Sequence, residues 1–276
     1  MFVISCVHLS RVDYGTALRL QQSLVDLRKA GRICDTLLLL EHSSVITLGR
    51  NAKREHLLAD DELLRRKQVD LFECDRGGDI TFHGPGQLVG YPIFDLRAFQ
   101  LKIGAVEFVR RLEEVLIRTC ADFRIAATRI PGMTGVWTAA DEASSNHVGT
   151  GALASPGESQ TCPPKAKIAA IGVHISRGVT SHGFALNVNT DLSYFDLIVP
   201  CGLAGKSVTS IARETGTSPS MDDVAHSVSE HFEHVFGTEI QLVDTLDALL
   251  GRTVGVPMRP PAELKQLRRE EELFLA

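Results

Sequence analysis

The sequence lacks several features that would assign it to a broad class of protein. No apolar run in its 276 residues approaches the roughly 18 residues that cross a bilayer. The longest basic run is Arg65-Arg66-Lys67, and 29 basic residues against 34 acidic ones give a net charge of −5, which disfavours nucleic-acid binding. Residues 1–6 contain no basic segment or cleavage site of a signal peptide, so we expect a cytosolic protein.

The cysteines form no Cys-x-x-Cys pair. This argues against a structural zinc site or another metal site with cysteine ligands, and against a compact disulfide framework. They are Cys6, Cys34, Cys74, Cys120, Cys162 and Cys201. The first four lie in or beside apolar runs, where we expect inert, buried thiols. Cys201 differs because it lies between Pro200 and Gly202, directly after a short apolar run. Such a break can present a side chain at the end of a strand.

Apolar residues make up 44% of the sequence, and their spacing predicts both helices and strands. We predict helices over 15–30, 59–68, 104–123 and 220–237, and strands over 36–40, 44–48, 69–74, 88–96, 124–138, 167–176 and 179–189. The expected buried face of the third helix comprises Val106, Val109, Leu112, Val115, Leu116 and Cys120. Runs of strands interrupted by a few helices favour an α+β fold with a mixed sheet.

One segment, residues 76–93, reads RGGDITFHGPGQLVGYPI and contains four glycines within its first twelve positions. Glycine-rich backbone is a poor helix and a poor strand interior, and it allows a ligand to approach closely. Arg76 can bind a phosphate or carboxylate, while Thr81 and His83 can orient a polar substrate group. The alternative is a long hairpin loop that carries a surface histidine.

Three downstream segments accompany the glycine-rich one. Lys167 opens KIAAIGV, residues 181–189 read SHGFALNVN, and residues 198–202 read IVPCG. Together the four segments resemble the lipoyl(octanoyl) transferases of lipoate synthesis, from about Val45 to Ala212, and residues 41–50, 135–137 and 208–211 also fall in the family's order. The resemblance implies the fold of lipoate and biotin protein ligases, a central mixed sheet flanked by helices.

The resemblance also implies an activity and its partners. Octanoyl-acyl carrier protein would donate an octanoyl group to a cysteine, and a lysine of a lipoyl domain would then accept it as an amide. The implied acceptors are the lipoyl domains of 2-oxoacid dehydrogenases and the H protein of glycine cleavage. The reaction needs no cofactor, and we expect a monomer.

The chemistry points to Cys201 and Lys167 as the catalytic pair. A thiol suits acyl capture from a thioester because the acyl group stays activated for attack by an amine. A nearby ammonium favours the thiolate, and Lys167 matches the family's lysine because it directly precedes IAAIG, whereas Lys165 does not. His83 and His182 are each possible general bases, but we assign both to positioning.

The acyl-binding positions follow from the resemblance, residue by residue. They are Arg76, Gly77, Gly78, Asp79, Ile80, Thr81, Phe82, His83, Ala170, Ile171, Gly172, Gly183, Phe184 and Ala185. Their small side chains leave room for an alkyl chain, and we expect Phe184 to add an apolar wall.

Two regions depart from the family. Residues 139–166 are small and polar, which predicts a mobile insertion loop just before Lys167. Residues 238–276 match poorly, and we expect a helical extension there, packed on a single catalytic domain of residues 1–237.

Two other functions remain open from the residues. An ATP-dependent lipoate or biotin-type ligase of the same fold would need a nucleotide-binding lysine and no cysteine, so Cys201 counts against it. A cysteine amidase or hydrolase would need a thiol activated by His83 or His182.

Overall fold

A nine-stranded mixed β-sheet forms the centre of the computed structural model, which describes residues 3–99, 103–139, 166–199 and 207–243. The strands are β1 (Val3–Val12), β2 (Asp35–His42), β3 (Val45–Leu48), β4 (Asp70–Glu73), β5 (Ile80–His83), β6 (Gln87–Ile93), β7 (Ala127–Ile130), β8 (Met133–Thr138), β9 (Ala166–Ser176), β10 (Val179–Asn187), β11 (Ser207–Val208) and β12 (Glu239–Leu242). The helices are α1 (Tyr14–Lys29), α2 (Asp61–Arg66), α3 (Ala105–Asp122), α4 (Ile211–Thr215) and α5 (Met221–Phe236), with 3-10 turns at Arg54–His56 and Leu192–Leu197.

The large sheet runs in the order β12-β1-β2-β6-β10-β9-β8-β7, and β11 pairs with β9. Strand β1 is parallel to β12 and to β2, whereas the pairs from β2 to β7 are antiparallel. A second sheet of three strands, β4-β3-β5, supports the glycine-rich segment. The predicted α+β fold with a mixed sheet is confirmed.

Helices cover both faces of the large sheet. On one face α3 and α5 pack their apolar sides, and Phe94, Phe108, Phe232 and Phe236 form a cluster of rings there. On the other face α1 buries its leucines against β2 and β6. Helix α1 begins where the carboxylate of Asp13 accepts a hydrogen bond from a backbone N–H, a common N-cap. The sheet is therefore held rigidly between the layers, and the site lies on its strands.

The predicted buried face of α3 is wrong at Val106, and Val109 is only half-buried. Val106 is 75% exposed, and Phe108 lies in the core in its place. Two residues along a helix turn the side chain by about 200°, so Val106 and Phe108 point in opposite directions. The buried side also contains a carboxylate, Glu113, which the apolar pattern does not reveal.

Three further expectations differ from the structure. Cys34 is exposed, because it lies in the turn between α1 and β2. Residues 239–242 form β12 and add a parallel strand to β1, so the sheet continues past the expected domain boundary at 237. Ala166, the expected end of the insertion loop, is the first residue of β9, while 140–165 and 244–276 lie outside the described residues. No helix in the described ranges is long and apolar enough to span a bilayer.

The antiparallel contact of β6 with β10 generates a stability prediction. Phe184 lies opposite Gly90, and a Cβ at Gly90 would overlap the Phe184 ring. Gly90→Ala should therefore lower the free energy of unfolding by about 1–3 kcal/mol, the usual cost of overpacking. Urea unfolding of both proteins measures this.

Gly15→Ala is the matched control, since the nearest atom to its Cβ would lie at 3.4 Å and the residue is helical. Equal urea midpoints for Gly90→Ala and the wild type would contradict the close packing of β6 on β10.

Candidate active site

A cleft lies between the glycine-rich segment and strands β6, β9 and β10. Its lining residues are Tyr14, Arg76, Gly77, Gly78, Asp79, Ile80, Thr81, His83, Val89, Tyr91, Ala170, Ile171, Gly172, His182, Gly183, Phe184 and Ala185. The structure thus brings together every predicted acyl-binding residue except Phe82.

The rings of the two predicted phenylalanines pack against other aromatic rings of the core. The ring of Phe82 stacks on Tyr194 with centroids 4.8 Å apart, in the core beneath the small sheet. Phe184 borders the cleft, but its ring stacks on Phe232 of α5 at 6.1 Å, in the core of the large sheet. Side chains alternate between the faces of a strand, so the neighbouring Ala185 belongs to the α1 side together with Val89. The apolar lining of the cleft combines small residues such as Ala170 with Ile80, Val89 and Ile171.

Arg76 fixes the shape of the glycine-rich segment. Its Nη2 donates to the Thr47 carbonyl at 2.7 Å and to Thr47 Oγ1 at 2.9 Å, and its Nη1 donates to the Gly77 carbonyl at 3.1 Å. The residue is buried. These contacts tie the segment to β3 and leave the guanidinium less available to a ligand than the sequence indicates.

Asp79 anchors the rim of the cleft. Its carboxylate accepts hydrogen bonds from the Ile80 N–H at 2.8 Å, from the Lys53 N–H at 3.3 Å and from His56 Nδ1 at 2.6 Å. The His56 carbonyl in turn accepts from the Val199 N–H at 2.8 Å. Val199 is the last described residue before the segment that contains Cys201, so that segment leaves the described chain at the rim.

His83 is buried and electrically neutral. Its Nδ1 donates to Gln87 Oε1 at 2.7 Å, and its ring lies parallel to that of Tyr14. Burial lowers the pKa of His83 to about 3. The Gln87 amide donates to Asn187 Oδ1 at 2.8 Å, and the Asn187 amide donates to the Thr209 carbonyl at 2.9 Å. A neutral imidazole within such a network is a weak base near pH 7.

His182 has an unusual backbone conformation. Its φ of 55° lies in the left-handed region, which costs a non-glycine residue about 1–3 kcal/mol and is often found at functional sites. Its N–H donates to Gln21 Oε1 at 2.8 Å, and its Nε2 donates to Asp75 Oδ1 at 2.7 Å. Burial lowers the pKa of His182, although Asp75 opposes the shift. The two contacts fix the imidazole at the wall of the cleft.

Lys167 lies on β9, between Trp137 of β8 and Val208 of β11. The residue is only 9% exposed. Its Nζ donates to the Thr134 carbonyl at 3.3 Å and lies 4.8 Å from the centre of the Trp137 ring. A carbonyl and an aromatic face are suitable partners for a buried ammonium. Gly135 lies close to β9, because a Cβ there would lie 2.7 Å from the Ala169 carbonyl.

Sequence reasoning missed Tyr14, Val89 and Tyr91 as lining residues. Tyr91 donates its hydroxyl to His42 Nε2 at 2.6 Å, and the His42 Nδ1 donates to a backbone carbonyl. Burial raises the pKa of Tyr91 and lowers that of His42 to about 4. The chain has only three tyrosines, and this rarity could have pointed to Tyr14 and Tyr91 as candidate site residues.

The buried histidines generate a prediction about pH and stability. Because the folded pKa of His83 lies near 3 and that of an unfolded histidine near 6.5, the unfolded state binds the extra proton between these pH values. Stability should be complete above about pH 6.5 and should fall as the pH is lowered towards 3. Between pH 6 and pH 4, His83→Gln should reduce that fall by up to about 2 kcal/mol.

Urea unfolding at several pH values measures the effect, and His226→Gln is the control because that side chain is 70% exposed. The same pH dependence in His83→Gln and the wild type would show that His83 is not buried in its neutral form.

Comparison with known proteins identifies the family. The model of the lipoyl protein ligase A/B catalytic domain matches residues 13–233. An octanoyltransferase of Koribacter versatilis (strain Ellin345) is 52% identical over 273 residues, covering 99% of this chain and all of that one. The octanoyltransferase of Acidobacterium capsulatum is 50% identical over 255 residues, covering 90% and 96%.

Solved structures share the fold at low sequence identity. Lipoate-protein ligase A bound with ATP has a TM-score of 0.66 at 12% identity, covering 98% of this chain and 94% of that one. The protein Ta0514 of T. acidophilum, a putative lipoate protein ligase with bound lipoic acid, has a TM-score of 0.65 at 12% identity and the same coverage. The predicted lipoate ligase fold is thus confirmed. The chain belongs to the lipoyl protein ligase A/B catalytic-domain family, and its full-length relatives are the octanoyltransferases of that family.

Proposed function

We propose that this chain transfers an octanoyl group from octanoyl-acyl carrier protein to a lysine of a lipoyl domain, through a thioester on Cys201. The observation that carries the proposal is the buried ammonium of Lys167, on the same strand as the lining residues Ala170 and Gly172, in a chain 52% identical to a named octanoyltransferase. A buried lysine is uncommon and is typical of a functional site.

The cleft suits an alkyl chain. Ala170, Gly172, Gly183 and Ala185 line it with little more than backbone. A Cβ at Gly172 would lie 2.6 Å from the Gly77 carbonyl, so the glycine-rich segment and β9 approach each other as closely as backbones can. An octanoyl group would therefore lie against backbone and small side chains.

The described chain reaches the segment of Cys201 from both sides. Val199 is bound at the rim through His56, and Val208 pairs with Lys167. The Thr209 N–H also donates to the Lys167 carbonyl at 2.9 Å. Cys201 itself lies outside the described residues. These flanking contacts support a thiol close to Lys167, because the intervening segment is anchored at the cleft and at the lysine strand.

The proposed reaction has two acyl transfers. The Cys201 thiolate attacks the donor thioester, the carrier's thiolate leaves and takes a proton, and a thioester on Cys201 remains. The amine of the acceptor lysine then attacks, loses a proton and forms the amide, and the cysteine thiolate is released. Lys167 favours the thiolate as an ammonium and exchanges the proton in each transfer.

The alternative functions receive less support. The fold is shared with lipoate-protein ligase A bound with ATP, but at 12% identity the likeness concerns the fold alone. A cysteine hydrolase would require an available imidazole base, whereas His83 has a pKa lowered to about 3 and is bonded to Gln87, and the Nε2 of His182 is bonded to Asp75. We also propose the lipoyl domains of 2-oxoacid dehydrogenases and the glycine cleavage H protein as acceptors, and the cytosol as the location.

The first test concerns the nucleophile. Incubation with octanoyl-acyl carrier protein should add about 126 Da, the mass of C8H14O, to the wild type as a thioester. Cys201→Ala should gain no mass and should not octanoylate a lipoyl domain, because the acyl group has no thiol to occupy. Intact-mass spectrometry measures both.

Cys34→Ser is the control, since Cys34 is exposed on the connection between α1 and β2, and it should retain full activity. Octanoylation of a lipoyl domain by Cys201→Ala would contradict the covalent mechanism.

The second test concerns Lys167. An ammonium within about 4–6 Å of a thiol lowers the thiol pKa by about one unit or more. Lys167→Met removes the charge with little change in length, so Cys201 should react more slowly with iodoacetamide at pH 7 and at wild-type rate at high pH. Peptide-resolved mass spectrometry separates Cys201 from Cys34, which is exposed.

Lys165→Met is the control because it removes a charge two residues away in the sequence. Identical pH curves for Lys167→Met and the wild type would remove Lys167 from the mechanism.

A further inference from the structure

Glu113 is a buried carboxylate that the proposed chemistry does not use. It lies on the sheet side of α3, and its side chain is 1% exposed. Its Oε2 accepts from Arg110 Nη1 at 2.7 Å and lies 3.2 Å from Arg129 Nε. Its Oε1 accepts from the backbone N–H of Gly135 at 3.2 Å. A buried charge is costly, so a carboxylate at this place requires an explanation beyond packing.

Gly135 is the residue next to the carbonyl that holds Lys167. The Thr134 carbonyl accepts from Lys167 Nζ, and that carbonyl and the Gly135 N–H belong to the same peptide unit. A planar peptide transmits an orientation from one end to the other. The carboxylate on one side therefore sets the direction of the carbonyl on the other.

The strand geometry at this point is irregular. Val136 pairs with Ala169, but the next residue, Trp137, pairs with Lys167, so β9 carries one extra residue. Gly135 has a φ of 119°, and a Cβ there would lie 2.7 Å from the Ala169 carbonyl. A bulge changes the direction of a nearby side chain and interrupts the regular ladder of backbone hydrogen bonds. The Gly135 N–H is directed to Glu113, which holds the irregular conformation in place.

We propose that Glu113 is a positioning residue: through the Thr134–Gly135 peptide it fixes the place of the Lys167 ammonium. This inference rests on the proposed role of Lys167. The two arginines keep the carboxylate in position, and they reach it from α3 and from β7. The carboxylate thus connects helix α3 to β8, the strand whose Thr134 carbonyl accepts the hydrogen bond of Lys167.

The test compares the acylation rates of two substitutions of Glu113. The slower variant should be Glu113→Asp if the contact with Gly135 matters, and Glu113→Gln if the charge matters. Glu113→Asp keeps the charge but withdraws the carboxylate from the Gly135 N–H by one methylene group. Glu113→Gln keeps the length and an oxygen acceptor but loses the charge. If the contact with Gly135 matters, Glu113→Asp should acylate Cys201 roughly tenfold more slowly per folded molecule, with KM for the donor nearly unchanged. Glu113→Gln should stay within about threefold of the wild type.

A spectroscopic readout separates positioning from stability. Trp137 is the only tryptophan of the chain, and its ring lies 4.8 Å from Lys167 Nζ, so its fluorescence reports on the ammonium. The emission of Glu113→Asp should move towards that of Lys167→Met, whereas that of Glu113→Gln should not.

The matched control is Glu114→Gln on the same helix. Glu114 Oε2 accepts from Arg129 Nη2 at 2.7 Å, and its other contact is with Arg118. The substitution therefore removes a partner of Arg129 without any contact with Gly135. Its acylation rate and Trp137 emission should equal those of the wild type.

Two results would overturn the proposal. A slower rate for Glu113→Gln than for Glu113→Asp would show that the charge is what matters, and Glu113→Gln alone decides this if Glu113→Asp does not fold. Lower stability with wild-type rates and emission in both variants would make Glu113 purely structural. If Lys167→Met itself acylates at the wild-type rate, the proposed function fails instead, and the emission still shows whether Glu113 holds the lysine.

Discussion

The contact of the Lys167 ammonium with the Thr134 carbonyl and the Trp137 ring is the interaction on which the site depends. A buried cation requires oxygen or aromatic partners, and both partners come from one short strand, β8. Their place is set by an irregular pairing of the two strands, in which β9 carries one extra residue and β8 has a glycine at position 135. The geometry of the lysine is therefore a property of two strands and of the helix behind them.

One wall of the cleft is the glycine-rich segment, whose backbone has to be held in one conformation. Arg76 binds the segment to β3, and Asp79 binds it to the 3-10 turn at Arg54–His56. Deeper in the cleft, His83 donates a hydrogen bond to Gln87, and Tyr91 donates one to His42. Both side chains are neutral. The imidazole of His83 in this interior is therefore fixed in place and uncharged near pH 7.

The sequence predicted much of the fold because its helices and strands have clear apolar periods. The prediction failed at Val106, which was assigned to the buried face of α3 but is exposed. It also failed at residues 239–242, because a short and mostly exposed strand has no strong apolar pattern. The glycine-rich segment and the KIAAIGV strand were found as parts of one cleft, but Phe82 and Phe184 turn their rings into the core. Glu113 was invisible, because a buried carboxylate looks like any helix-surface glutamate until its partners are known.

We propose that the enzyme carries the acyl group as a covalent thioester between donor and acceptor, with Lys167 nearby. The most direct measurement isolates the acylated enzyme, removes every trace of donor, and mixes it with a lipoyl domain. One octanoyl group per enzyme molecule should move to the lysine of the lipoyl domain, and the enzyme should lose the same mass. An acylated enzyme that keeps its acyl group, or loses it only to water until donor is added again, would contradict the account.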